Sequence, residues 1–328
     1  MTFIASSEIS YYTIGFYNLE NLFDTKDDPN TMDDDFTEDS ERNWNEDRYQ
    51  KKLRKLGKII SNLGVFEISH PPVIIGVAEV ENNTVLTDLV ASKYLKNKNY
   101  NFIHFDSPDE RGIDTALLYR EDYFTVLHQE AFPLYIKGNY GERDYTRDVL
   151  YVKGELEGTL IHILVNHWPS KKSNTKENEY KRIAAASNNR DIIDRIVSEE
   201  PEAKIIIMGD FNDNPSSESI QKLKNTDFYN PMELLLTNEA GTLNYRGEWN
   251  LFDQILISNN FLKSYDNPLQ FVESKIYNPR DLQEFTGKYK GNPFRTYVGE
   301  KYLGGYSDHF PVYEIFKIKN NYIKNDSK

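Results

Sequence analysis

Asp210 and Asn212 stand two residues apart in a Gly209-Asp210-Phe211-Asn212 run, and a Ser307-Asp308-His309 triplet lies near the end of the chain. Asn18, Glu79 and His167 are further polar residues, each at the end of an apolar run. In packed α/β folds, functional groups collect at strand ends and in the loops after them. Taken singly, most of these residues have a structural explanation. Asp210 after Gly209 could close a turn, Asn18 could cap the next segment, and a lone His167 is more often a satisfied core histidine. Glu79 is harder to dismiss, because a carboxylate directly after a buried strand is costly unless paired or metal-bound. Together the set supplies hard oxygen ligands and two imidazoles, the kit for Mg²⁺-assisted phosphoryl chemistry. Hydrolysis of a phosphodiester needs a hydroxide placed in line, a neutralised phosphate and a stabilised leaving oxygen. A metal and two imidazoles meet the last two needs, and a carboxylate–amide pair on a turn can grip one water. Ser170 and Ser307 sit in no recognisable nucleophile elbow, so a serine-hydrolase reading is weak.

The elements that must position these residues can be read from short apolar runs. Residues 12–17, 73–77, 160–165 and 204–208 read as strands, and their ends carry Asn18, Glu79, His167 and Asp210. Further strands are expected at 101–105, 115–119, 125–128, 148–156, 251–257 and 312–316. A helix is expected over 46–63, with Tyr49, Leu53, Leu56, Ile59, Ile60 and Leu63 as one apolar stripe. Lys51, Lys52, Arg54, Lys55 and Lys58 then form its solvated face. Asn82-Asn83 cap a second helix carrying Val85, Leu86, Leu89 and Val90. A long helix is expected over 177–197 with Tyr180, Ile183, Ala184, Ile192, Ile193 and Ile196 inward. The acidic stretch 24–47 lacks the Gly and terminal Glu of a calcium loop and reads as solvated chain. Residues 279–305, rich in Gly, Pro and Lys, read as a long loop. No repeat, linker or seam divides the chain, so one domain over 1–328 is expected, with a core over about 12–317.

The ordered set Asn18, Glu79, His167, Gly209-Asp210-Phe211-Asn212, Asp253 and Ser307-Asp308-His309 resembles the endonuclease/exonuclease/phosphatase superfamily, which includes DNase I-like and exonuclease III-like enzymes. The resemblance runs from Asn18 to about Phe316. Its most specific pieces are the Gly-Asp-Phe-Asn turn and the Ser-Asp-His triplet. It implies a four-layer α/β/β/α sandwich, an α/β (α+β) fold of two mixed β-sheets with helices outside. It also implies roles. Glu79 would bind Mg²⁺ or Mn²⁺, with Asn18 and Asp308 as nearby or water-mediated ligands. Asp210 would orient and deprotonate the attacking water, and Asn212 would hold that water or the developing charge. His309 would donate to a phosphoryl oxygen, with Asp253 fixing its tautomer. His167 matches the histidine near the leaving oxygen and would protonate it. Arg147 resembles a family arginine that contacts phosphate, against a simple ion pair with Asp144 or Asp148.

The substrate implied is a phosphodiester, first of all DNA or RNA, cleaved by an activated water. The alternative is a phosphomonoesterase or lipid or inositol phosphatase of the same fold; a catalytically silent binding protein is disfavoured because the residue set is complete. Gln254 stands where inositol polyphosphate phosphatases carry an arginine, which weakens that branch. Lys171, Lys172, Lys176, Lys181 and Arg182 form a local basic cluster after His167, suited to a polyanion backbone or simply a solvated helix start. Arg111-Gly112-Ile113-Asp114 is a second candidate phosphate contact. The 328 residues carry 39 Lys+Arg against 52 Asp+Glu, a net charge of −13 that argues against broad non-specific adhesion to polyanions. It leaves room for a local basic groove. The absence of Cys excludes thiolate nucleophiles, iron–sulfur clusters and zinc-thiolate sites. No apolar run reaches a membrane span, and the first twelve residues do not read as a signal peptide. A cytoplasmic monomer with no protein partner is therefore expected.

Overall fold

The computed structural model describes residues 6–138, 141–171, 178–262 and 268–322. Two six-stranded sheets account for most of the regular structure. In chain order their strands are β1 (Ser6–Leu22), β2 (Ile74–Val80), β3 (Tyr100–His104), β4 (Asp114–Arg120), β5 (Phe124–Phe132) and β6 (Val149–Leu156). The rest are β7 (Thr159–His167), β8 (Ile205–Asp210), β9 (Phe228–Tyr229), β10 (Asp253–Ser258), β11 (Leu269–Ile276) and β12 (Val312–Tyr322). One sheet runs β11-β12-β1-β2-β4-β3, the other β9-β10-β8-β7-β6-β5. Each sheet has one parallel pair, β1 with β2 and β7 with β8, among antiparallel neighbours. Both sheets are therefore mixed.

Side-chain alternation sorts each strand between layers. Ile14 and Phe16 of β1, Ile74 of β2, Ile163 and Val165 of β7, and Ile206 and Met208 of β8 meet in the core between the sheets. Their neighbours Tyr17, Ile75 and Val77 face outward against α1 (Glu46–Asn62), where Leu53, Leu56 and Ile60 are buried. Asn45 caps α1 by accepting a hydrogen bond from the Arg48 amide. A single turn, α2 (Val65–Ile68), follows, and α3 (Asn83–Ala91) is capped by Asn82, which accepts from the amides of Thr84 and Val85. Leu164, Ile205 and Ile207 face the opposite way, against Ile192 and Ile193 of α4 (Glu179–Glu199) and Ile220 and Leu223 of α5 (Glu218–Lys224). Helix, sheet, sheet and helix are thus stacked in the order expected.

Three departures have physical reasons. Lys52 does not lie on a solvated face. Its side chain is buried, and its ammonium donates to the Glu20 carbonyl at 2.6 Å and the Thr296 hydroxyl at 2.7 Å. A long aliphatic stem lets a lysine on a polar stripe run inward to carbonyl acceptors. The strand β11 was not expected: its register against β12 shifts between Phe271 and Glu273, which breaks the apolar alternation that marks a strand. Finally, the 279–305 stretch is not uniformly a loop, because Tyr297–Val298 pairs with Lys301–Tyr302 in a short hairpin.

Candidate active site

Register alone lines up much of the site. The parallel pairing of β7 with β8 sets His167 opposite Asp210, and the antiparallel pairing of β8 with β10 sets Asp210 opposite Asp253. These three residues end adjacent strands in one row. Gly209 allows the close approach: a Cβ there would sit 2.3 Å from the Asn166 carbonyl oxygen on the neighbouring strand. In the other sheet, Asn18 pairs with Ala78 where β1 runs beside β2. The register against β4 then shifts between Ala78 and Val80, so Glu79 is the extra residue of a bulge, with a φ of 61°. A bulge re-aims a side chain, and a non-glycine residue held at positive φ stores strain that clusters at functional sites.

Asp210 is the centre of the arrangement and is buried. Its Oδ2 accepts from Asn18 Nδ2 at 3.0 Å, and its Oδ1 accepts from the Asn212 amide at 2.9 Å. The imidazole Nε2 atoms of His167 and His309 each lie 3.8 Å from Oδ2. Behind His309, its Nδ1 meets Asp253 Oδ2 at 2.7 Å. Ser307 fixes this segment by donating its hydroxyl to the Asn18 carbonyl at 2.7 Å and accepting the His309 amide at 3.1 Å. Asn212, also at positive φ, donates its side-chain amide to the Trp168 carbonyl at 3.0 Å. The second acidic centre lies alongside. Glu79 Oε1 is 3.7 Å from His167 Nε2, its Oε2 accepts the Asn21 amide at 2.9 Å, and Asp308 Oδ1 is 3.9 Å from His309 Nε2.

The electrostatics separate the two histidines. Burial works against the charge on His309, but the carboxylates of Asp253 and Asp210 outweigh it and hold the imidazole well above its ordinary value of 6.5. His309 is a cation. His167 is pushed well below 6.5 by burial first, then by Arg147, Arg111 and His309, so it is neutral. Its Nδ1 has no hydrogen-bond partner. Burial also raises Asp210 to about 7, against the opposing pull of His309. A carboxyl near neutrality is suited to taking a proton from water.

The basic residues divide by burial. The Arg147 guanidinium is buried, with Nη1 on Asp109 Oδ2 at 2.8 Å, Nη2 on the Trp168 carbonyl at 2.7 Å and Nε on the His167 carbonyl at 3.2 Å. Its partner is Asp109, not Asp144 or Asp148, and its donors brace the end of β7. Arg182 is buried too, its Nε 2.6 Å from Asp213 Oδ2. Both guanidiniums are committed to protein acceptors, and Arg147 also lines a small surface cavity with Arg111 and Lys181. Lys171, about 40% exposed, and Arg111, about 36% exposed, do remain accessible. Lys181 pairs with Asp144. Lys172 and Lys176 lie outside the described residues.

Three groups emerge that the motifs did not single out as site residues. Glu20 is buried, its Oε2 accepting the Thr296 amide at 2.6 Å, and its carboxyl is raised to about 7 by burial and then by the charge of Asp308. Arg295 bridges the two carboxylates, with Nε 3.5 Å from Glu20 Oε1 and Nη2 bonded to Asp308 Oδ2. Lys52 lies beneath them. Glu20 is two residues from Asn18 and could have been suspected from that spacing. Arg295 is one of two arginines in a Gly-, Pro- and Lys-rich stretch and carried no sequence signal.

A hard divalent cation suits this donor set. Asp308 lies close enough to Glu20 to raise its carboxyl, and neighbouring carboxylate oxygens favour such an ion. The ligand atoms of Asp210, Asp253 and His309 also lie within 4.8 Å of one another. That group is already closed by the short Asp253–His309 hydrogen bond. Asn18 uses both ends of its amide, one on Asp210 and the other accepting the Glu20 amide at 2.9 Å. It orients the central carboxylate.

Two mixed sheets between helices, with acids, amides and imidazoles gathered at the strand ends, define a phosphoesterase-type α/β sandwich. The model of the endonuclease/exonuclease/phosphatase family matches residues 13–318, and the chain belongs to that family. Its fold is similar to that of a family protein from Bacteroides thetaiotaomicron, at 16% identity and a TM-score of 0.59, over 98% of this chain and 100% of that one. It is similar to a truncated TDP2 from Caenorhabditis elegans, at 16% identity and a TM-score of 0.57, over 93% and 97% of the two chains. A mannosyl-6-phosphatase from Bacteroides thetaiotaomicron has a TM-score of 0.57 at 15% identity, over 92% of this chain and 98% of that one. No curated protein sequence matches the chain.

Proposed function

We propose that this chain is a divalent-metal-dependent phosphodiesterase that cleaves DNA or RNA by in-line attack of water. The observation that carries the reading is the convergence on Asp210 Oδ2. A neutral and a charged imidazole both lie 3.8 Å from it, and Asn18 donates to it at 3.0 Å. Asp210 takes the proton of the attacking water, and Asn18 and the Asn212 amide hold its carboxylate in place. The cation His309, backed by Asp253, donates to a non-bridging phosphoryl oxygen. His167, being neutral, steadies the leaving oxygen with a hydrogen bond from one N–H, and the alkoxide takes its proton from solvent. Glu79 and Asp308, with Glu20 adjacent, would hold Mg²⁺ or Mn²⁺, which neutralises phosphate charge as a Lewis acid. Lys171 and Arg111 are the exposed cations for the flanking phosphates.

The chain is read as one domain over 1–328 with its core over about 12–317, since the core between the sheets takes Ile14 and Ile74 from the first third and Val312 and Phe316 from the end. No helix among the described residues is long and apolar enough to cross a membrane.

The test is a substrate panel with Mg²⁺ or Mn²⁺: duplex DNA, single-stranded DNA, RNA, bis-p-nitrophenyl phosphate, p-nitrophenyl phosphate and a phosphoinositide. Diester cleavage that EDTA abolishes supports the reading. Cleavage of monoesters alone would assign a phosphatase, the activity carried by one protein of similar fold. Cleavage that persists in EDTA would remove the metal from the mechanism.

A further inference from the structure

Beside the active site the chain folds a cleft that shares Asp308 and its partner Arg295 with the hydrolytic centre and is otherwise lined by residues the hydrolysis does not use. It has a volume of about 570 Å³, within the range of small-ligand sites. One wall is the hairpin of Leu243–Tyr245 and Glu248–Asn250, and the other is the stretch from Glu284 to Val298. Tyr245 and Tyr289 line it from opposite walls, and each ring is more than half exposed. Each also carries its own cation. Arg246 Cζ lies 5.2 Å from the Tyr245 ring centre, and Lys288 Nζ lies 5.6 Å from that of Tyr289. Arg295 and Asp308 close the end nearest the active site.

Two further features mark the cleft as built. Arg246 and Gly247 at the hairpin tip have φ of 55° and 93°. Positive φ at both central residues is the hairpin pattern that favours Asn-Gly, and an arginine at the first position is held there against its preference. The charge is also local. In a chain of net −13, residues 280–302 contain Arg280, Lys288, Lys290, Arg295 and Lys301 against Asp281, Glu284 and Glu300. The cleft itself is lined by Arg246, Lys288 and Arg295 against Glu284 and Asp308. Glu284 is the one anion of the cleft apart from Asp308, and Asp308 is neutralised by Arg295.

We infer that this cleft binds a single-stranded stretch of the nucleic acid substrate, with bases on Tyr245 and Tyr289 and backbone phosphates at Arg246 and Lys288. Aromatic faces paired with cations are what single-strand binding uses, since every base has a π-face and every linkage a charge. The inference rests on the phosphodiesterase reading and names its substrate class. Discrimination would come from this cleft, while the chemistry stays at Asp210 and His309.

The experiment uses the full chain and a fluorescein-labelled oligothymidylate of about 10 nucleotides, within the site sizes of single-strand binders. Binding is followed by fluorescence anisotropy in EDTA. Tyr245→Ala with Tyr289→Ala should weaken it by about tenfold or more, and Tyr245→Phe with Tyr289→Phe should restore it. Arg246→Gln with Lys288→Gln should weaken it and reduce its salt dependence. With metal present, the alanine pair should lower the ratio of kcat/KM for the oligonucleotide to that for bis-p-nitrophenyl phosphate by a similar factor. Unchanged anisotropy in the alanine pair, or an unaltered ratio, overturns the inference. So does binding of a duplex of equal length more tightly than the single strand. If the parent chain cleaves no diester, the phosphodiesterase reading fails separately, and the anisotropy still decides the cleft.

Discussion

At the scale of single residues, the site depends on one carboxylate whose surroundings are specific atom by atom. Asp210→Asn keeps the shape, retains an acceptor for the Asn18 amide and removes the base. It should lower kcat by at least about 10²-fold, the usual loss for a general base. A rate near that of the parent would place the base elsewhere. Asp253→Asn tests a different atom. The Asp253 and Asp210 carboxylates together outweigh burial in keeping His309 charged, and Asp253 holds its Nδ1 at 2.7 Å. An amide there removes a negative charge, so the His309 pKa should fall toward or below its ordinary value. An NMR titration of the imidazole reads that fall directly. Loss of kcat by about 10²-fold or more should accompany it, since a carboxylate-to-amide change behind a catalytic histidine disturbs its tautomer. An unmoved His309 titration would mean that Asp253 is not what holds the charge.

At the scale of elements, strand ends carry the chemistry and the gaps between strands set its geometry. Gly209 shows how tight this is. The nearest atoms to an added Cβ are the Asn166 carbonyl oxygen at 2.3 Å, its Cβ at 2.7 Å and its carbonyl carbon at 2.8 Å, so β7 and β8 must separate to admit a methyl. Gly209→Ala should therefore cost roughly 1–3 kcal/mol of stability, the range for overpacking. It should also lower kcat, because the adjacent Asp210 moves with the strand. Thermal melts and steady-state rates on a small diester check both; a variant with parental Tm and rate would show that the two strands are not in contact there. Much of this level was legible in the sequence. Runs such as 73–77 and 204–208 are apolar on both faces and have a polar residue at the end, which a buried strand beside a functional loop requires. The bulge at Glu79 was not legible, because it exists only as a mismatch between β2 and β4. Nor was the burial of Lys52, Arg147 and Arg182. A cation reads as solvated until the fold supplies carbonyls or a carboxylate to receive it, and Asp109 and Asp213 do so from segments distant in sequence.

At the scale of the whole molecule, the core between the sheets contains one residue that does not match its layer. Val312 and Phe316 of β12 point into that core, and Glu314 lies between them on the same face. It is fully buried, and neither carboxyl oxygen has a hydrogen-bond partner. Burial alone raises its pKa well above 4.5, so the fold keeps it protonated and uncharged. The sign of the resulting linkage is fixed. Below about pH 4.5 the carboxyl is protonated in both the folded and unfolded chain and imposes no pH dependence. Above that, the unfolded chain releases the proton while the folded chain retains it, so stability falls as pH rises, until the folded pKa is passed. Glu314→Leu removes this term and fills the site with apolar atoms. It should raise stability at pH 7 by roughly 1–3 kcal/mol, the mutational cost of burying an unpartnered polar group. The difference in Tm between variant and parent should widen steadily from pH 5 to pH 8. Denaturant melts across that range decide the matter, and a constant difference, or a leucine variant less stable than the parent at pH 8, would mean that Glu314 has a partner in the folded chain.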